Sequence, residues 1–152
     1  MRATAGALGA GNAQFADPYG LSPSNVATPR DMGLIAARIF TDARLLPAWA
    51  CRQRTLQIEG KKQRTVALET SLEILGQDQV IGAKTGSHRS KKIFNLVAAW
   101  HAPNGQTIVG VLLGSASNAA RYGEMRAIIA ALPRDFPSLA APQVTPPQAE
   151  CE

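Results

Sequence analysis

The clearest candidate for chemistry is the segment 80–86, which ends in Lys84-Thr85-Gly86. Its apolar residues predict a short strand, and its last three bring together an ammonium, a hydroxyl and a residue without a side chain. A positive charge beside a hydroxyl can hold an anionic group. The glycine leaves the strand edge bare, so that an extended peptide can approach the backbone. The alternative is a solvated lysine at the end of a strand.

Two apolar segments follow, 93–100 and 107–113, with Asn104-Gly105 between them. This dipeptide predicts a β-hairpin, because both central residues of a type I′ turn need a positive φ. We therefore expect Lys84-Thr85-Gly86 on or beside one strand of a three-stranded antiparallel sheet. Since 107–113 is almost wholly apolar, we expect that strand to be central and covered on both faces.

Helices are predicted before and after these strands in the sequence, over 1–9, about 28–46 and about 119–132. Thr28 can cap the second helix, because Pro29 suits a first helical position and Asp31 favours the positive end of the helix dipole. Before the sheet, residues 53–59 alternate in polarity and predict a strand that pairs with 65–68. These patterns predict an α+β fold with an antiparallel sheet and flanking helices.

The bulk composition is that of one globular domain with a moderate core. The chain has 152 residues, of which 45% are hydrophobic and 18% charged. The segment 137–152 is rich in proline and predicts a disordered tail. The first residues are too weakly apolar for a signal peptide, and no apolar run is long enough for a membrane span.

The net charge of +5 favours an anionic partner or a surplus of surface base. Aromatic residues make up only 5% and do not interleave with the basic clusters, so we do not expect specific nucleic-acid binding. Two cysteines, Cys51 and Cys151, are too few for a disulfide framework or a zinc site, and their redox state stays open. No cofactor or metal is indicated.

Five segments occur in a characteristic order along the chain. They are Ala5-Gly6-Ala7-Leu8-Gly9, the stretch from Phe15 to Ser22 with Asn25, Thr28 and Asp31, then Lys84-Thr85-Gly86, the segment Phe94-Asn95-Leu96-Val97-Ala98-Ala99, and Asn118 with Arg121. In this order they resemble the D-alanyl-D-alanine carboxypeptidases, which are low-molecular-weight penicillin-binding proteins and serine peptidases, and Lys84-Thr85-Gly86 matches one of the signatures of penicillin-recognising serine enzymes. The resemblance covers residues 1–136 and implies the C-terminal part of a β-lactamase/transpeptidase-like catalytic domain.

The resemblance implies a substrate and a site. Intact relatives cleave the terminal D-alanine from peptidoglycan stem peptides, bind β-lactams and work in the cell envelope, including the periplasm. It also implies that Lys84, Thr85 and Gly86 bind substrate by charge, by a hydroxyl contact to the carboxylate and by a bare strand edge. His88 is a further candidate, as a proton carrier or carboxylate binder, although an ordinary loop histidine is the simpler interpretation.

One departure concerns the nucleophile, because none of the eight serines has a lysine three residues later and no S-x-N is present. We therefore expect this chain alone to be inactive, with the nucleophile absent or supplied by an N-terminal half on another chain. Two alternatives stay open. One is a non-catalytic fragment or a module that binds cell-wall peptides, and the other is a β-lactamase-like hydrolase. The segment after Gly86 is also bulkier and more basic than is usual in these enzymes.

Overall fold

The computed structural model describes residues 1–60 and 62–132, so the predicted tail over 137–152 lies outside the described residues. Nine helices and strands are named within those ranges, together with a short 3₁₀ turn over Arg89–Lys91. They are α1 (Arg2–Ala7), α2 (Pro29–Phe40), α3 (Leu46–Ala50), β1 (Gln53–Ile58), β2 (Arg64–Glu69), β3 (Val80–His88), β4 (Ile93–His101), β5 (Thr107–Ser115) and α4 (Asn118–Ala131). The predicted α+β class is confirmed.

The main sheet has three antiparallel strands in the order β3-β4-β5. Lys84 pairs with Val97 on β4, and Val97 pairs in turn with Val111 on β5. The predicted strand for Lys84 is therefore confirmed. The predicted central position of 107–113 is wrong among the described strands, because β4 is central and β5 lies at an edge. Helices α2 and α4 both contact β5, and this cover on two faces explains why an edge strand is almost wholly apolar.

The turn between β4 and β5 forms the predicted hairpin with a different geometry. The Ala102 N–H donates to the Gln106 carbonyl at 2.8 Å, and the Gly105 N–H donates to the Ala102 carbonyl at 2.9 Å. Of the two residues in the dipeptide, only Gly105 has a positive φ, at 81°. Pro103 lengthens the loop by one residue. A loop of three residues needs a positive φ only at its last position, so a type I′ turn is not formed.

Helix α2 begins where the sequence predicts and ends earlier. The Thr28 hydroxyl accepts a hydrogen bond from the Asp31 N–H, and the Asp31 carboxylate accepts one from the Thr28 N–H, which completes a capping box. The helix ends at Phe40 rather than near residue 46, because Asp42 accepts the Arg44 N–H at 3.0 Å and turns the chain. Pro47 then lies in the first turn of α3, where a proline is tolerated.

The two faces of the sheet pack against different helices. Leu96, Ala98 and Trp100 of β4 join the core beneath α4, whereas Val97 and Ala99 pack with Phe40 of α2. This alternation places one face of β4 towards each helix. Strands β1 and β2 pair with each other, as predicted, and among the described strands they form a sheet separate from the main one. None of the described helices is both long enough and apolar enough to cross a membrane.

Candidate functional site

A groove of about 670 Å³ opens on the α2 side of the main sheet. Its floor includes Lys84, Thr85 and Gly86 at the end of β3, and its opposite wall is α2 with the loop 15–27. Most of the remaining lining is apolar, including Met32, Ile35, Ile39, Trp49 and Val97. The three predicted site residues thus lie together in a groove whose lining is mostly apolar.

Strand register fixes which of these side chains share a face. Lys84 lies opposite Val97 and Gly86 lies opposite Asn95, so the four residues alternate onto the α2 side of the sheet. Lys84 is exposed, and its ammonium donates a hydrogen bond to the carbonyl of Thr85. It has no carboxylate partner among the described residues. The ammonium is therefore available to an anionic group that enters the groove.

A β-bulge in β5, opposite Asn95, fixes the orientation of the Asn95 side chain. Phe94 pairs with Ser115 and Leu96 with Leu112, which leaves Leu113 and Gly114 opposite Asn95 alone. Gly114 has a φ of 79°, and its N–H donates to the Asn95 Oδ1 at 2.8 Å. A hydrogen bond to the amide oxygen determines the orientation of the whole carboxamide.

Arg121 supports the end of β3 from the α4 side. It is only 4% exposed, and one guanidinium nitrogen donates to the Ser87 hydroxyl at 2.8 Å, the Asn95 carbonyl at 3.2 Å and the Gly86 carbonyl at 3.4 Å. The other terminal nitrogen donates to Asn118. The guanidinium carbon lies 5.2 Å from the centre of the Tyr122 ring. No carboxylate among the described residues pairs with this buried charge.

The outer wall of the groove is a loop built on Asp17. Its carboxylate accepts the backbone N–H groups of Tyr19 and Gly20, each at 2.7 Å, and the side-chain amide of Asn25 at 3.0 Å. Desolvation raises the pKa of Asp17, but the hydrogen bonds from Ser22 and its neighbours outweigh it and leave that pKa below its usual value. One side chain thus holds the conformation of this loop.

His88 lies at the end of β3, opposite Ile93, and does not line this groove. Its Nδ1 lies 3.2 Å from the Ser90 hydroxyl. Its proposed role stays a prediction. Sequence reasoning missed Asn95 as a site residue, and it placed Arg121 only at the start of a helix. For Asn95, the available signal was a polar residue near one end of an apolar strand. For Arg121, it was a charged residue among the apolar positions of α4, where it is buried with Tyr122 and Met125.

Solved structures of the Streptomyces K15 DD-transpeptidase are similar to this chain. The enzyme aligns with a TM-score of 0.75 and 27% identity, and an arginine-to-leucine mutant aligns with a TM-score of 0.76 and 27% identity. Each alignment covers 84% of this chain and 50% of the transpeptidase, so this chain spans half the length of those proteins. No protein-family model and no curated protein matches the chain.

At this identity and TM-score, the likeness confirms the resemblance predicted from the ordered motifs, including the partial coverage of a larger domain. The chain accordingly shares the fold of the DD-transpeptidases of the penicillin-binding family.

Proposed function

We propose that this chain forms the substrate-binding half of a serine D-Ala-D-Ala carboxypeptidase that acts on peptidoglycan stem peptides in the cell envelope. The supporting observation is the exposed Lys84 ammonium, which faces the groove from an edge strand and has no carboxylate partner among the described residues. A fixed positive charge there attracts the anionic end of a peptide. Edge strand β3 offers its backbone to an extended peptide, and Gly86 leaves that approach open.

In this proposal, a different segment supplies the nucleophile. Acylation needs a serine whose proton is taken by a neighbouring base, and no serine here has a lysine three residues later. Lys84 provides a positive charge in this proposal, while Thr85 contacts the carboxylate of the substrate through its hydroxyl. Met1 also lines the groove, so a segment joined ahead of Met1 would start from the groove that Lys84 lines.

Penicillin labelling tests the proposal. The chain alone should show no covalent penicillin adduct by intact mass. When a segment carrying S-x-x-K is supplied, by extending the reading frame ahead of Met1 or by co-expression, one adduct should appear. Lys84→Ala should then slow labelling by about 10²-fold, the usual scale for losing one pre-organised electrostatic contact. The matched control is Lys91→Ala, an exposed lysine outside the groove, which should label normally.

Two results contradict the proposal. An adduct on the unextended chain refutes the claim that another segment supplies the nucleophile. Full labelling without Lys84 refutes the role of that lysine. A second candidate is a non-catalytic module that binds cell-wall peptides, and it is favoured because the described residues form the groove without a nucleophile. That candidate predicts peptide binding by the chain alone and no adduct after extension.

A further inference from the structure

A side-chain amide with unused donors lies directly beside Gly86. Asn95 Oδ1 accepts the Gly114 N–H at 2.8 Å, so the orientation of the carboxamide is chemically determined: an NH₂ group at that place would face another donor. The NH₂ group must point the other way. No acceptor for it is found among the described residues. Asn95 therefore has two N–H groups that no part of the described chain uses.

These donors face the groove because Gly86 has no side chain. Asn95 and Gly86 are opposite each other in the β3–β4 pair, and both line the groove. A Cβ atom added to Gly86 would lie 3.7 Å from Asn95 Nδ2 and 3.7 Å from Asn95 Cβ, in van der Waals contact with both. Even a methyl group at this position would cover the amide. The missing side chain thus exposes a hydrogen-bond donor as well as the strand edge.

Asn95 also lies close to the charged end of the groove. Lys84 is opposite Val97, the residue two positions along β4 from Asn95, so Lys84 and Asn95 are diagonal neighbours on one face. Such neighbours are about 7–8 Å apart, which is within the span of adjacent groups of one peptide. An ammonium and an amide donor can therefore engage two different oxygens of the same ligand.

We propose that Asn95 is a specificity-determining contact, whose Nδ2 donates to a carbonyl or carboxylate oxygen of a peptide held beside Gly86. The inference rests on the proposed function, because it assigns a second polar contact to the same substrate. The bulge at Leu113 and Gly114 has a role in it. It frees the Gly114 N–H from the strand ladder, and that N–H orients the amide.

The experiment uses the chain as it stands, labelled with ¹³C and ¹⁵N and titrated with a diacetylated L-Lys-D-Ala-D-Ala peptide. The Asn95 side-chain NH₂ signals are assigned through their own β-carbon. We expect them to shift together with the backbone amides of Thr85 and Gly86. If those backbone amides shift while the Asn95 NH₂ signals stay in place, this inference is overturned and the proposed function survives. If nothing in the groove shifts, both fail.

Variants provide a second measurement. Asn95→Asp keeps an oxygen for the Gly114 N–H and removes both donors, so we expect the peptide Kd to rise about 3- to 10-fold, the usual scale for one hydrogen bond. Asn104→Asp adds the same charge in the distant β4–β5 turn and should leave Kd unchanged. Gly86→Ala should reproduce the loss by covering the amide. An unchanged Kd in both Asn95→Asp and Gly86→Ala overturns the inference.

Discussion

The guanidinium of Arg121 donates to the hydroxyl of Ser87 at 2.8 Å and so ties the first turn of α4 to the residue that follows Gly86. The same nitrogen reaches the carbonyls of Gly86 and Asn95, on two neighbouring strands. One buried side chain therefore holds β3, β4 and α4 together behind the groove. The position of Gly86 depends on this contact, although Arg121 does not line the groove.

Replacing Arg121 with leucine should lower the free energy of unfolding by about 1–3 kcal/mol. The change removes an unpaired buried charge, but it leaves the Ser87 hydroxyl and two carbonyls without their donor. Denaturant unfolding measures the effect. Arg126→Leu is the control on the same helix, because that side chain is 41% exposed and its ion pair with Asp78 is 4.0 Å long. The control should stay within about 0.5 kcal/mol, and equal stabilities of the two variants would contradict the role of Arg121.

Two glycines should respond to alanine in opposite directions. A Cβ at Gly110 would lie 2.8 Å from Met125 Sδ and 2.8 Å from the Trp100 ring, so Gly110→Ala should destabilise the protein by about 1–3 kcal/mol. Gly123 lies in α4, and a Cβ there would meet nothing within 4 Å. Gly123→Ala should therefore stabilise the protein by about 0.4–1 kcal/mol. Thermal melts of the pair check this, and a stabilising Gly110→Ala would disprove the tight packing against α4.

Stability should fall in acid through Asp42. The side chain of Arg44, and then its backbone N–H, hold the pKa of Asp42 well below the ordinary value of 3.8. A carboxyl group with a lowered folded pKa stabilises the protein above its unfolded pKa, and that contribution is lost as the pH falls through the folded pKa. The difference in unfolding free energy between the native chain and Asp42→Asn should therefore be full at pH 6 and shrink below about pH 4.

Urea unfolding between pH 2 and pH 6 gives this difference directly. Asp78→Asn is the control, since the Asp78 side chain is 47% exposed and its contact with Arg126 is long. It should change the unfolding free energy less than Asp42→Asn does at pH 6. A difference for Asp42→Asn that is constant over the whole range would contradict the assigned contacts.

Apolar groups at the groove should bind a hydrophobic dye or drive self-association of the isolated chain. Leu113 is 37% exposed near the end of edge strand β5, and Ile93, which also lines the groove, is 39% exposed. Long apolar edges and exposed patches of this kind promote association. Leu113→Lys should reduce dye fluorescence and the apparent mass in sedimentation. Leu45→Lys should do neither, because Leu45 is 44% exposed but does not line the groove.

The opposite result has a clear meaning. A monomer that binds no dye and melts cooperatively would contradict the prediction and would favour the independent peptide-binding module.

The sequence by itself was sufficient for features that depend on neighbouring residues. The capping box of Thr28 and Asp31, the strand that carries Lys84 and the hairpin at Asn104-Gly105 all follow from local preferences, because the interacting groups are a few residues apart. The ordered motifs also predicted the penicillin-binding resemblance without any coordinates. The predicted type of turn was wrong, because Pro103 lengthens the loop by one residue.

Tertiary structure alone decided the contacts that join distant segments. The meeting of Arg121 with Ser87 depends on how α4 crosses the sheet, and no periodicity in the sequence encodes that crossing. The orientation of Asn95 depends on a bulge in the partner strand, which is a property of register between two strands. The position of β5 at an edge also depends on which distant strands pair with each other. Burial under two helices makes a strand apolar wherever it lies in the sheet, so hydrophobicity reports cover on its faces and not its place in the strand order.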